Sequence, residues 1–150
     1  MDSSDASQII ILLILLLLSA FFSSAETCLT TVNKVRMQSM AEDHVKNAST
    51  VLKLIEKPTQ LLSGILIGNN IVNLTASSLT TSYAIHIAQR NGLPISASVF
   101  TGVATGVLTV LILIFGEIVP KSLATVNAEK LALLYACLLY TSDAADDLIG

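Results

Sequence analysis

The chain has 150 residues, of which 53% are hydrophobic and 13% charged, with 8 basic against 11 acidic side chains and a net charge of −3. Soluble domains carry about a quarter charged residues, so this composition, with a mean hydropathy of +0.73, excludes an ordinary water-covered globule and points to one small membrane domain. The acidic balance and pI of about 5.2 leave no basic stripe for nucleic acid. Cys28 and Cys137 lack any CxxC or histidine partner at ligand spacing and read as two small buried thiols.

The first apolar run is unbroken from Ile9 to Phe22. Asp2 and Asp5 stand where a secretory leader would carry lysine or arginine, so the run reads as a spanning helix over about 8–32. Residues 33–58 change character. Lys34, Arg36, Lys46, Lys53 and Lys57 face Glu42, Asp43 and Glu56, while Val45, Val51, Leu52, Leu54 and Ile55 recur at helical spacing. That pattern predicts one or two amphipathic helices at the membrane surface, and Pro58 suits the first turn of the next helix.

A second span is predicted over about 60–88, ended by the breaker-rich stretch Gln89-Arg90-Asn91-Gly92-Leu93-Pro94. A third is predicted over about 96–119, stopping at Pro120. A juxtamembrane amphipathic helix follows over about 121–140, and 141–150 forms an acidic tail with Asp143, Asp146 and Asp147. The fold class is therefore all-α, with three transmembrane helices and juxtamembrane helices. Basic residues concentrate in 33–58, so the positive-inside rule predicts an outside N-terminus and a cytoplasmic C-terminus.

Polar residues inside such helices call for a reason. Ser19, Ser23 and Glu26 share one face of the first helix. Asn69, Asn73 and Ser77 share one face of the second, continued by Thr80 and Thr81. Thr101, Thr105, Thr109 and Glu117 lie along one side of the third. Three polar stripes turned toward one another would converge in the inner half of the bilayer. Glu117 has the sharpest surroundings, Gly116-Glu117-Ile118-Val119-Pro120-Lys121. Proline lacks an N–H, so in an α-helix the Gly116 carbonyl loses its partner. The carboxylate then sits beside a free carbonyl at a negative helix end. The bland alternative is a helix end with Glu117 snorkelling beside Lys121. Every candidate ligand is oxygen, which suits a hard cation such as Mg²⁺ or Ca²⁺, or Na⁺. Nothing resembles a nucleophile–base pair, so no enzyme is expected. His86 reads as an interfacial residue. Gly102 and Gly106 form a GxxxG that serves packing either within the bundle or across a dimer.

The segments Phe22-Ser23-Ser24-Ala25-Glu26-Thr27, Ile67-Gly68-Asn69-Asn70-Ile71-Val72-Asn73 and Gly116-Glu117-Ile118-Val119-Pro120-Lys121 together resemble the transmembrane domain of the CorB/CorC and CNNM (cyclin M) magnesium transporters. The likeness extends over about residues 8–137. It implies a homodimer in the bilayer of a plasma membrane, the bacterial inner membrane in particular, with Mg²⁺ as the transported or bound ion. It implies ligands at Ser23, Asn69, Asn73, Gly116 and Glu117, with Ser19 and Glu26 as further positions and Pro120 as the structural kink. Members of that family continue into nucleotide-binding CBS domains, which no residue here matches. Nucleotide binding is not expected of this chain, and 141–150 reads as a truncated or foreign end. The alternative function is a non-transporting membrane anchor, dimerisation unit or ion-sensing module.

Overall fold

The computed structural model describes residues 3–92 and 97–149. Its elements are α1 (Ser3–Thr31), α2 (Lys34–Glu42), α3 (Ala48–Glu56), α4 (Pro58–Arg90), α5 (Ala97–Leu111), a π-helical segment (Ile112–Ile118), α6 (Val119–Val126) and α7 (Ala128–Ile149). No strand occurs among the described residues.

Two helices, Ser3–Thr31 and Ser98–Val126, are long and apolar enough to cross a bilayer. α4, with 33 residues, is about 50 Å long at 1.5 Å per residue, but its asparagines, serines and threonines dilute its hydropathy. Large apolar side chains face outward on all three helices: Leu17 and Leu74 are each 70% exposed, and Val103 is 60% exposed. Monomeric soluble proteins rarely leave so extended an apolar belt open.

The linker forms two helices. Asn33 caps α2, its Oδ1 accepting from the backbone N–H of Val35 at 2.9 Å and of Arg36 at 3.3 Å. Asn47 enters α3 in the left-handed region (φ 68°), which asparagine tolerates better than most residues. Its Nδ2 donates to the Leu133 carbonyl at 3.1 Å, tying the linker to α7. Pro58 occupies the first turn of α4 as expected. Asn91 and Gly92 end that helix, Gly92 at φ +64°; Leu93 and Pro94 lie outside the described residues.

The apolar core lies at the C-terminal end of α1. Ala25, Cys28 and Leu29 meet Met37, Val51 and Leu54 of α2 and α3 and the alanines of α6 and α7. Ala128, Ala132 and Ala136 recur every fourth residue, and the latter two are fully buried. Small side chains at that spacing let helices pack closely.

Three expectations change. The third long helix does not stop at Pro120. It passes through a π-helical stretch, takes Pro120 into the first turn of α6 and continues to Val126. Proline fits there because a first helical turn does not need its N–H. The predicted 121–140 helix is consequently two elements, broken at Asn127, whose N–H closes α6 on the Leu123 carbonyl at 3.0 Å; the second runs on to Ile149. Finally, Cys28 is buried but Cys137 is exposed, because it lies on the face of α7 opposite its alanines.

Candidate cation site

Ser19 stands at the centre of the polar contacts between helices. Its Oγ is 3.3 Å from Asn69 Oδ1 and 3.0 Å from Asn73 Oδ1, and Ser19 itself is only 1% exposed. A hydroxyl has one proton, so it satisfies one of these two amide oxygens at a time. Three oxygens therefore converge where protons are too few, an arrangement suited to a cation. Asn73 uses its other end for Glu117, Nδ2 donating to Oε1 at 3.4 Å. That bond also fixes which amide atom faces Ser19. Two of the three predicted stripes thus meet directly, and the third joins through Glu117.

Gly116 brings the π segment against α1. A Cβ there would lie 3.0 Å from Ser19 Oγ and 3.4 Å from both Leu16 Cδ1 and Ser19 Cβ. Only glycine allows this approach without displacing Ser19. On the other side, Gly68 receives the Phe22 ring, whose Cζ would come within 2.9 Å of an added Cβ. These two glycines set the depth and rotation of α1 against its neighbours.

The π register shifts the effect of Pro120. The Val119 N–H goes to the Ile114 carbonyl, five residues back, and Pro120 has no N–H. In that register residue 120 would be the next donor, so the Phe115 carbonyl is left without its helical partner. The carbonyl that Pro120 leaves without a donor is thus that of Phe115, next to the Gly116 carbonyl expected from an α register. π-Bulges concentrate at functional sites for this kind of reason.

Ser23 is one turn further along α1. It is fully buried (0% exposed), and its Oγ has no hydrogen-bond partner. A buried polar atom without a partner is rare and needs a ligand, water or ion to account for it. Glu26 does not join the cluster: its Oε2 pairs with Lys121 Nζ at 3.8 Å. Lys121 thus pairs with Glu26 rather than with Glu117. Higher on the helices the threonine stripes meet at one level, Thr81 Oγ1 to Thr105 Oγ1 at 3.5 Å. Thr80 and Thr109 bond back to their own helices.

Sequence reasoning missed the contact between Asp5 and Arg90, whose Oδ2 and Nη1 are 3.3 Å apart and join the far ends of α1 and α4. The signal was present in an acid at the start of one span and a base at the end of the next. Among the described residues no group of three or more histidine, cysteine or acidic side chains is clustered for a metal. The site's chemistry is that of neutral oxygens around one carboxylate.

Residues 10–143 match the family profile described as the cyclin M transmembrane N-terminal domain. The chain belongs to the cyclin M transmembrane-domain family. Among its relatives, an inner membrane protein of Escherichia coli K12, UPF0053 protein YfjD, is 40% identical over 112 residues. A UPF0053 protein of Haemophilus influenzae is 41% identical over 112 residues. These alignments cover 75% of this chain and 24% and 25% of the relatives. A DUF21 domain-containing chloroplastic protein of Arabidopsis thaliana is 40% identical over 113 residues, 75% of this chain and 16% of that protein. The cyclin M domain described here thus spans about a quarter of the bacterial relatives' length. It belongs to a membrane-domain family rather than to an enzyme class.

Proposed function

We propose that this cyclin M domain moves Mg²⁺ across a membrane, as a three-span homodimer, through an oxygen-lined site between α1, α4 and the π segment. The observation that carries the reading is the Ser19 cluster. Asn69 Oδ1 and Asn73 Oδ1 both lie within 3.3 Å of Ser19 Oγ, with Glu117 attached through Asn73. Ser23 Oγ, buried without a partner, and the carbonyl that Pro120 leaves without a donor extend the donor set.

Such a set fits a hard cation: amide, hydroxyl, carbonyl and carboxylate oxygens, with no thiolate or imidazole. One carboxylate is too little charge to hold a divalent ion permanently, which suits cargo that must also leave. Mg²⁺ keeps several of its waters, so a site with few charged ligands is adequate to it. In this reading Glu117 supplies the charge that offsets dehydration. Ser19, Asn69 and Asn73 exchange their mutual hydrogen bonds for the ion, and Pro120 withholds a helical donor from a neighbouring carbonyl. The family resemblance favours Mg²⁺ among hard cations.

α4 is the third span in this reading, its polar face turned inward on the site and its Ile67, Ile71 and Leu74 outward. The homodimer gains support from α5. A Cβ at Gly102 or Gly106 would meet nothing within 4 Å among the described residues, which leaves this GxxxG open to a second copy. The N-terminus lies outside and α2, α3 and α7 lie on the cytoplasmic side of a plasma membrane, bacterial inner membrane being the natural setting.

The test is Mg²⁺ flux in proteoliposomes, together with Mg²⁺-dependent melting. Glu117→Gln keeps size and hydrogen bonding but removes the charge, so flux should be lost while the Mg²⁺-free melting temperature holds. Wild-type flux in Glu117→Gln would refute the site. Mg²⁺-dependent stabilisation without flux in the wild type would leave a non-transporting, ion-sensing module.

A further inference from the structure

Two clefts adjoin at the end of the bundle that carries the basic residues. One, of about 520 Å³, lies between α1, α6 and α7; its walls include Leu17, Phe21, Leu123 and Leu131, and it reaches Tyr135. The other, of about 450 Å³, lies between the α1–α2 junction and the α6–α7 elbow, lined by Asn33, Arg36 and Glu129 among others. Asn127 and Lys130 line both. The result is one compound groove, apolar along one limb and charged at the other, with Lys130 where they join.

Its electrostatics are uneven. Lys130 is exposed and has no ion-pair partner among the described residues. Arg36 meets Glu129 through Nε at 3.1 Å, yet its side chain stays 69% exposed, so its other N–H groups are free to donate. Glu129 is the one acid lining the charged limb, against two bases. The flanking linker adds Lys34, Lys46, Lys53 and Lys57 against Glu42, Asp43 and Glu56. The apolar limb opens onto the lipid-facing belt, where Leu17 is 70% and Leu123 57% exposed. A soluble anion would use only the charged limb, and a neutral hydrocarbon only the other. A molecule with an acyl chain and a phosphate uses both. Basic pockets beside membrane helices hold anionic head groups for this reason.

We propose that this groove binds one anionic phospholipid per protomer. An acyl chain lies along Leu17, Phe21, Leu123 and Leu131, and the phosphate sits between Lys130 and Arg36. Ser24 Oγ and Tyr135 Oη, 3.1 Å apart, offer hydroxyls to the glycerol ester region. The site is separate from the Ser19 cluster and does not depend on cation transport.

The experiment is native mass spectrometry of the full chain in neutral detergent, with phosphatidylglycerol and phosphatidylcholine of identical acyl chains. Phosphatidylglycerol should be retained at one molecule per protomer, several-fold more than phosphatidylcholine. Lys130→Ala and Arg36→Ala should each lower its retention about fivefold, the effect of one basic residue near an anionic lipid, and leave phosphatidylcholine unchanged. Leu123→Trp, at an exposed position, should block the apolar limb and lower retention of both lipids. Millimolar inorganic phosphate should fail to displace the lipid. Equal retention of the two lipids, indifference to Lys130→Ala, or displacement by free phosphate would overturn the proposal. So would a Leu123→Trp protein that loses a dimer mass but keeps its lipid, because the groove would then seat a second copy.

Discussion

Gly116→Ala tests the packing that assembles the polar cluster. The added Cβ would sit 3.0 Å from Ser19 Oγ, whereas ordinary contact begins at 3.4 Å. Ser19 or the π segment must therefore give by about 0.4 Å, the difference between those distances. Ser19 has little room, being 1% exposed and bonded toward Asn73 at 3.0 Å. Overpacking of this kind costs about 1–3 kcal/mol. Against it stands the helical preference of alanine over glycine, about 0.8–1 kcal/mol. Gly64→Ala supplies the control: it is also inside a long helix, and its Cβ would meet nothing within 4 Å. The propensity gain is roughly common to both, so Gly116→Ala should be less stable than Gly64→Ala by about 1–3 kcal/mol. Thermal and denaturant unfolding in one detergent would measure that gap. If Mg²⁺ binds at this cluster, Gly116→Ala should also lose Mg²⁺-dependent stabilisation while Gly64→Ala keeps it. Equal stabilities for the two variants would refute the close approach of the π segment to α1.

Pro120→Ala restores a helical N–H, so the helix should gain up to about 3 kcal/mol, less what neighbouring contacts already offset. Mg²⁺-dependent melting shifts should shrink with Glu117 still in place. Asn33→Ala removes an acceptor for two backbone N–H groups and should cost about 1 kcal/mol in unfolding experiments. For orientation, a cysteine at position 46 should be shielded from an impermeant thiol reagent in intact cells, and one at position 91 should react, in a background lacking Cys28 and Cys137. The reverse labelling would invert the topology.

Class, helix order and the phase of each polar stripe were readable from the sequence because they depend on local quantities. Hydropathy and a 3.6-residue period act within one segment, so Ser19, Asn69, Asn73 and Glu117 could be placed on the right faces without a structure. The same holds for Pro58 at a helix start and for the amphipathic linker. What the sequence left open depended on how far one helix slides and turns against another. Ser23 and Ser19 share a face, yet Ser19 is the one bonded to both asparagines, because Gly116 and Gly68 admit α1 at one particular depth. Spacing put Lys121 beside Glu117 alone, and the approach of α6 to α1 gives it Glu26. Pro120 announced a disturbed helix, but whether the chain would stop, kink or shift to a π register was decided by packing. The GxxxG of α5 stayed ambiguous for a similar reason: a glycine pair states that a close neighbour is allowed, and only the tertiary arrangement leaves that face open among the described residues.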